Sequence, residues 1–545
     1  MRLTTCEPGD LPAERLFSRA RSLAGCTGFD RSAWTFLRFR FFCAFAWCPR
    51  NRPFAHALIS SVAAAACEAQ RALHTRCPLN HDSKPASSPA ALAAARRSAC
   101  PGLVRVVAAR DGGLCRIRLA GGVLTAAQAH AIAEAALAHA SGTLELTNRA
   151  NVQVRGVRAG SEAALTAALV AAGLGPQASA HEHGDLCAAD ELRNLMLSPL
   201  AGLDPDALID TTALAAPIVA MLQREPRFAA LSPKFALLLD GGERLAALDH
   251  PHDIWLAAIQ DADGVRFVFG LAGSPGDGGA LGAVASAHAP ALIRALLHAF
   301  LDLAQPEQIR MRDVLASRGA DALLQRAQHH ADCVIARNGP DDEAALHAWK
   351  RKPVDLSLRL GAHALNARDT GDVGYIGCQP PLARLDAATL HALAALAETH
   401  GDATLRITPW QGAILPNVAQ RAMPAVLERL RALGLVCDSA DPLACTIACT
   451  GSAGCAKSRA DTKADALRLA AQLPPDVHVH LSGCERSCAA AHQAAFTLLA
   501  TAPGHYDLYE RDTGATPFGR LVAHHLTIEA AARTLAQRPR SNPDV

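Results

Sequence analysis

"LTAAQAHAIAEAALAHASGTLELT" (Leu124–Thr147) and "LDAATLHALAALAETHGDATLRIT" (Leu385–Thr408) lie over one another without a gap at an offset of 261, with 11 of 24 positions identical. Alanine inflates that agreement. The matched Leu124/Leu385, His130/His391, His139/His400, Thr143/Thr404, Leu144/Leu405 and Thr147/Thr408 owe nothing to it. A segment repeated in this way is one structural unit used twice. Each copy reads strand, capped helix, strand, strand. "LCRIRLA", just before the first copy, alternates at period two, as a half-buried strand does. Thr125 and Asp386 stand where a helix N-cap belongs. "GTLELT" and "VQVRGV" read as short strands, mirrored by "ATLRIT" and "AILPNV". One such unit is too small to enclose a core. The two copies are expected to pack as one pseudo-symmetric α/β domain, with a ligand-sized crevice where they meet.

Two further segments, 187–330 and 437–535, alternate strand and helix, so the chain runs copy, α/β segment, copy, α/β segment. The first carries "LRNLMLSPLAG", "LSPKFALLLDGG", "GVRFVFGLAG" and the helical "APALIRALLHAFLDLA"; the second carries "DVHVHLSG" and "TIEAAARTLAQR". Residues 1–95 differ from the rest. "FLRFRFFCAFAWCPRNRP" has neither helical nor strand period, and "NHDSKPASSPAA" is a polar linker. That stretch reads as a poorly ordered or non-native extension. With 545 residues and a net charge of +2, bulk charge gives no argument for a nucleic-acid or membrane partner. No apolar run approaches the roughly 18 residues that would span a bilayer, and the N-terminus lacks a secretory h-region. A cytoplasmic protein is expected, whose clustered cysteines serve a metal or cluster and not disulfides.

Cysteine is unevenly spread: of 17, six crowd between Cys437 and Cys488. Four form two pairs, Cys449 and Cys455 in "ACTGSAGC", then Cys484 and Cys488 in "SGCERSC". Two pairs on separate loops give four thiolates converging from different directions, as a cubane iron–sulfur cluster requires. The second pair follows a predicted strand at its C-terminal end, where α/β sheets hold ligands. Zinc pairs usually enclose two to four residues, so the five-residue gap speaks against zinc only weakly. Spacing leaves cluster, zinc and free thiols open, and leaves Cys445 as a competing ligand. Cys378, Cys437 and Cys445 read as packing residues. The repeated histidines read as scaffold, and His181 and His183 as part of a solvated loop. "GDGGALG" (Gly276–Gly282) misses the dinucleotide fingerprint and reads as a loop.

C-x5-C followed by C-x3-C, behind two copies of a half-domain, resembles the sulfite/nitrite reductase family. "LTNRANVQVRG", "ELRNLMLSPLAG" and "LSPKFALLLDGG" resemble that family's motifs in the same order, across roughly residues 98–535. The resemblance implies an α/β (α+β) fold. Ferredoxin-like half-domains at 98–160 and 343–420 would form one pseudo-symmetric domain, flanked by α/β domains at 187–330 and 437–535. It further implies a [4Fe-4S] cluster on Cys449, Cys455, Cys484 and Cys488, and Arg149, Arg193 and Lys234 facing a tetrapyrrole and its anion. Arg155 is a further candidate.

Details point to one branch. Sulfite reductases carry a second lysine two residues after the first, where this chain has Ala236. "SACPGLVRV", "RITPWQGAILP", "ACTGSAGCAKSRADTKADA" and "SGCERSC" look like the precorrin-3B synthase branch. One departure stands out: that branch often has His-Pro soon after the last cysteine, and here "AAAH" follows. The branch implies a monooxygenase-type oxidoreductase of aerobic cobalamin biosynthesis. Precorrin-3A is hydroxylated at C20 by O2 and closes a γ-lactone. NADH is the reductant, delivered through a partner reductase, and an oxygen-activating mononuclear non-haem iron lies near the macrocycle. The alternative is a sirohaem-dependent sulfite or nitrite reductase.

Overall fold

The computed structural model describes residues 100–177, 185–261, 264–331, 346–365, 372–490, 492–512 and 517–538. The readings of residues 1–95 and of His181 and His183 lie outside the described residues. The first copy comprises β1 (Val107–Ala109), β2 (Gly112–Ile117), β3 (Val123–Thr125), α1 (Ala126–His139), β4 (Thr143–Leu146), β5 (Val152–Val157) and α2 (Glu162–Ala171). The first α/β segment follows with α3 (Leu186–Glu191), β6 (Leu195–Leu197), α4 (Thr212–Arg224), β7 (Leu237–Asp240), β8 (Ile254–Asp261), β9 (Gly264–Leu271), β10 (Gly282–Ala285), α5 (Ala289–Leu303) and α6 (Met311–Gln328). The second copy holds β11 (Gly361–Ala364), β12 (Val373–Cys378), β13 (Arg384–Asp386), α7 (Ala387–His400), β14 (Thr404–Ile407), β15 (Ala413–Ala419) and α8 (Met423–Ala432). The last segment holds β16 (Thr446–Ala448), α9 (Thr462–Ala470), β17 (Val479–Ser482), β18 (Phe496–Ala502), β19 (His505–Glu510), β20 (Arg520–Thr527) and α10 (Ile528–Ala536).

The repeat extends to detail because several matched positions have the same task twice. Thr125 caps α1 through Gln128 N–H, and Asp386 caps α7 through Thr389 N–H. Thr147 and Thr408 each hold the turn after the helix-following strand. Thr147 Oγ1 accepts from Asn151 N at 3.1 Å, and Thr408 Oγ1 from Gly412 N at 3.0 Å. Both turns also place a non-glycine residue at positive φ, Ala150 and Gln411. The four matched leucines explain how the halves join. β3 leaves its own copy and pairs with β14, placing Leu124 opposite Leu405. β13 does the reverse with β4, placing Leu385 opposite Leu144. Neither five-stranded sheet is complete without a strand of the other copy. One continuous apolar core therefore serves both, including Leu124, Leu144, Leu385 and Leu405. The rings of His130 and His391 meet at 4.1 Å between α1 and α7, so equivalent residues touch where the pseudo-two-fold axis passes. The sequence reading ended at the fourth element of each copy; α2 and α8 follow at the same offset.

The two α/β segments repeat one another as well. In the first, β6, β7 and β8 are parallel, and β9 and β10 return antiparallel. In the last, β16, β17 and β18 are parallel, and β19 and β20 return antiparallel. Each has its own apolar core. Among the described residues no helix is long and apolar enough to cross a membrane.

Candidate functional site

The carboxyl ends of β16 and β17 carry the paired cysteines. Those strands are neighbours in register, Ala448 opposite Leu481, so Cys449 and Cys484 leave the sheet at adjacent points. Cys449 N–H donates to Leu481 O at 3.2 Å, and Gly483 N–H donates to Cys449 Sγ at 3.3 Å. The Thr462 hydroxyl, on the first turn of α9, lies 3.3 Å from the same sulfur. Cys455 closes a tight loop through its N–H to Gly451 O at 2.9 Å. Gly483 has to be glycine, since a Cβ there would overlap the Ser458 side chain. All four thiols are free. Burial first, then the charges of Cys484, Cys449 and Cys455, push the Cys488 thiol up. Four thiolates gathered like this repel one another unless a multivalent cation or cluster neutralises them. N–H and O–H groups aimed at sulfur are among the groups that tune such clusters. The donor set therefore fits an iron–sulfur cluster. Cys445 points elsewhere: it packs with Leu360, Val436 and Ala444, and its thiol faces Ser439 O at 3.8 Å.

A charged junction ties this loop to the repeat. Glu145, on β4, receives Arg384 of the second copy at 2.7 Å, Arg155 of the first at 3.4 Å, Lys463 at 3.7 Å and the Thr450 hydroxyl at 2.8 Å. Burial raises its carboxyl, but Lys463, Arg155 and Arg384 outweigh that and hold it below the usual range. Arg155 binds Asp111 with two nitrogens, at 2.8 and 3.0 Å, and donates to Gly454 O at 3.1 Å between the first two cysteines. Its donors are thus committed to holding the cysteine loop.

The first copy gathers arginines. Arg116 lies on β2 between the buried Cys115 and Ile117, and Arg118 follows directly after the strand's end. Arg118 is buried against Asp190 at 3.4 Å. Arg193 also goes to Asp190, at 2.6 Å, and to Leu174 O at 2.8 Å, so it orients the carboxylate that holds Arg118. Arg149 and Arg116 differ. Arg149 donates to the Lys234 carbonyl at 3.2 Å, and Arg116 faces the Gln153 amide oxygen at 2.8 and 3.2 Å once that amide is turned to match. Among the described residues neither makes an ion pair with a carboxylate. Burial, then Arg118 and Arg149, bring Arg116 down to about 10; burial, then Arg310, bring Arg149 down to about 10. Cys100 and then Cys488 pull Arg116 the other way. Both stay cationic at neutral pH. The Lys234 side chain is exposed, and Ala236 is buried with its N–H on Asp253 at 2.9 Å. The structure thus joins Arg149 to Lys234 directly, and joins Arg193 to Arg118 through Asp190.

Arg116 and Arg118 escaped the sequence reading, although "LCRIRLA" alternates two arginines with apolar residues. Glu145 also escaped it, because its importance depends on partners from three segments.

The Nitrite/Sulfite reductase ferredoxin-like half domain family matches residues 108–172 and 367–433. The Nitrite and sulphite reductase 4Fe-4S domain family matches residues 188–334. The chain belongs to the nitrite/sulfite reductase family. The second match covers the α/β segment whose described residues within it contain no cysteine, while the paired cysteines stand in the topologically equivalent last segment. A precorrin-3B synthase of Sinorhizobium sp is 28% identical over 422 residues, 76% of this chain and 83% of that protein. The chloroplastic ferredoxin–nitrite reductase of Zea mays is also 28% identical, over 69% of this chain and 67% of its own length. The solved NirA protein of Mycobacterium tuberculosis shares the fold, with a TM-score of 0.60 at 19% identity over 78% of this chain and 80% of its own. The Zea mays relative is a reductase by name and the Sinorhizobium relative a synthase, so the family is established and the reaction is a separate question.

Proposed function

We propose that the chain acts as a precorrin-3B synthase in the cytoplasm, converting precorrin-3A to precorrin-3B. One oxygen atom of O2 forms a hydroxyl at C20, the ring A acetate closes a γ-lactone, and the other atom leaves as water with two electrons from NADH. Cys449, Cys455, Cys484 and Cys488 hold the [4Fe-4S] cluster, which when bound supplies one-electron transfer. The observation that supports this reading is the pair Arg116 and Arg149, two half-buried guanidiniums that make no ion pair with a carboxylate among the described residues. A precorrin presents many carboxylates, and arginine pairs with carboxylate through two parallel hydrogen bonds. Arg193 and Arg118 fix the neighbouring wall through Asp190, while Lys234 sets Arg149 through its carbonyl and offers an exposed ammonium at the rim.

Ala236 favours this reading over sulfite reduction. Where a second cation would help bind a small dianion, the backbone is buried and the side chain is a methyl group. Electrons from NADH arrive through a partner reductase in this account. The test is incubation of anaerobically purified chain with precorrin-3A, reductant and labelled O2, read by mass. Incorporation of one labelled atom with lactone formation is expected. A purified chain that carries sirohaem and reduces sulfite or nitrite would replace the proposal with that activity.

A further inference from the structure

We propose that Asp249, His250 and His492 form a site for one divalent first-row transition-metal ion, of the ferrous class, distinct from the four cysteines. Their ligand atoms all lie within 4.8 Å of one another. Asp249 Oδ1 and His250 Nδ1 share a hydrogen bond of 2.6 Å, which ligation of an ion through both atoms would replace, and Asp249 Oδ2 is 3.7 Å from His492 Nδ1. Ligands bound at about 2.0–2.2 Å stand at most roughly 4.4 Å apart on one ion, so a small closing movement suffices. The second gap is too wide for a hydrogen bond, and the buried His492 Nδ1 has no hydrogen-bond partner. His250 is only 4% exposed, and its Nε2 is likewise buried without a partner. A buried imidazole nitrogen that no protein group occupies is open to a ligand or ion.

The topology says why the site lies here. Asp249 and His250 are on the loop between β7 and β8, and His492 is on the loop between β17 and β18. Those loops are equivalents in the two α/β segments, so the site forms where the pseudo-symmetric pair meet. His492 follows Cys488 by four residues, which limits the distance along the chain to about 14 Å. In sequence, the displaced histidine of "AAAH" supplies this ligand. Two imidazoles and one carboxylate leave coordination positions open, the arrangement used by non-haem ferrous oxygenases. Asp249 and His492 are about one-third exposed, so the open side can be reached.

In role this deepens the proposed reaction and to that extent rests on it; the site itself rests on geometry. The test uses full-length chain holding its iron–sulfur cluster, treated with a mild chelator and titrated anaerobically with Co(II), then Fe(II). Visible and EPR spectra and metal counts are read against cluster absorption. One additional ion per chain is expected. His492→Ala and Asp249→Ala should weaken binding at least about 100-fold, since outer-shell changes alone cost 10- to 100-fold. Asp249→Glu should restore part of it. His391→Ala, far from the site in the repeat, should bind as the parent does. Cobalt spectra unchanged in both alanine variants would overturn the site; if either loses the cluster, His492→Gln supplies the same comparison. Metal binding without oxygenation of precorrin-3A would overturn the proposed reaction and leave the site standing. Oxygenation by chain that binds no such ion would do the reverse.

Discussion

The two copies of the half-domain share caps, turns and register, yet they carry opposite chemistry. At the constant offset, Arg116, Arg118, Arg149 and Arg155 of the first correspond to Gly377, Gln379, Trp410 and Pro416 of the second. Glu145, which binds three cations, corresponds to Arg406. The α/β segments divide in the same way: one topology twice, with paired cysteines in the last segment only. Duplication supplied a symmetric frame, and the site arose from its asymmetric decoration. Backbone tasks constrain both copies alike, whereas a ligand needs only one set of cations.

The strongest way to break this comparison is to exchange behaviour at position 145. Glu145→Gln leaves Arg384, Arg155 and Lys463 without their shared carboxylate, and breaking a buried ion pair costs about 3–5 kcal/mol. Arg406→Gln should change denaturant-measured stability by less than about 1 kcal/mol, because its guanidinium makes no comparable pairing among the described residues. Equal losses would mean that the copies are energetically alike. Next in size, Arg149→Gln should weaken precorrin-3A binding about 10- to 100-fold in an equilibrium titration, the loss of one charge-assisted contact. The melting temperature should move little, and Arg406→Gln should leave binding as it is.

Glu145 also gives a pH signature. Its folded carboxyl lies below the usual value of 4.5, so its contribution is complete above that pH and fades as pH falls through the lower folded value. Melting temperature should therefore drop below about pH 4.5 in the parent, with a shallower slope in Glu145→Gln. An identical slope would assign acid lability to other groups. The smallest effect expected is from His130→Ala, which removes the ring contact with His391 on the pseudo-axis. It should cost about 0.5–1.5 kcal/mol.

Much of the frame was legible in the sequence because local tasks leave local marks. Thr125 and Asp386 announce helix starts, Thr147 and Thr408 announce turns, and period-two runs announce strands. The strand exchange was not legible, since Leu124 and Leu385 serve equally well in either sheet. The cysteine pairs were visible through spacing. The proposed anion-facing wall was only partly so: Arg149 is joined by Arg116, which makes no ion pair with a carboxylate among the described residues. Asp249, His250 and His492 stayed hidden because two loops more than two hundred residues apart bring them together.

The central claim is that the four thiols hold an iron–sulfur cube beside a site that takes a tetrapyrrole as substrate. Optical absorption and EPR of anaerobically purified chain, with iron and sulfide counted on the same sample, test it most directly. The account predicts a reducible [4Fe-4S] signal with acid-labile sulfide and no sirohaem bands, abolished in Cys449→Ser and Cys484→Ser. Zinc in place of iron and sulfide would contradict the cluster, and a sirohaem spectrum would contradict the tetrapyrrole's role as substrate.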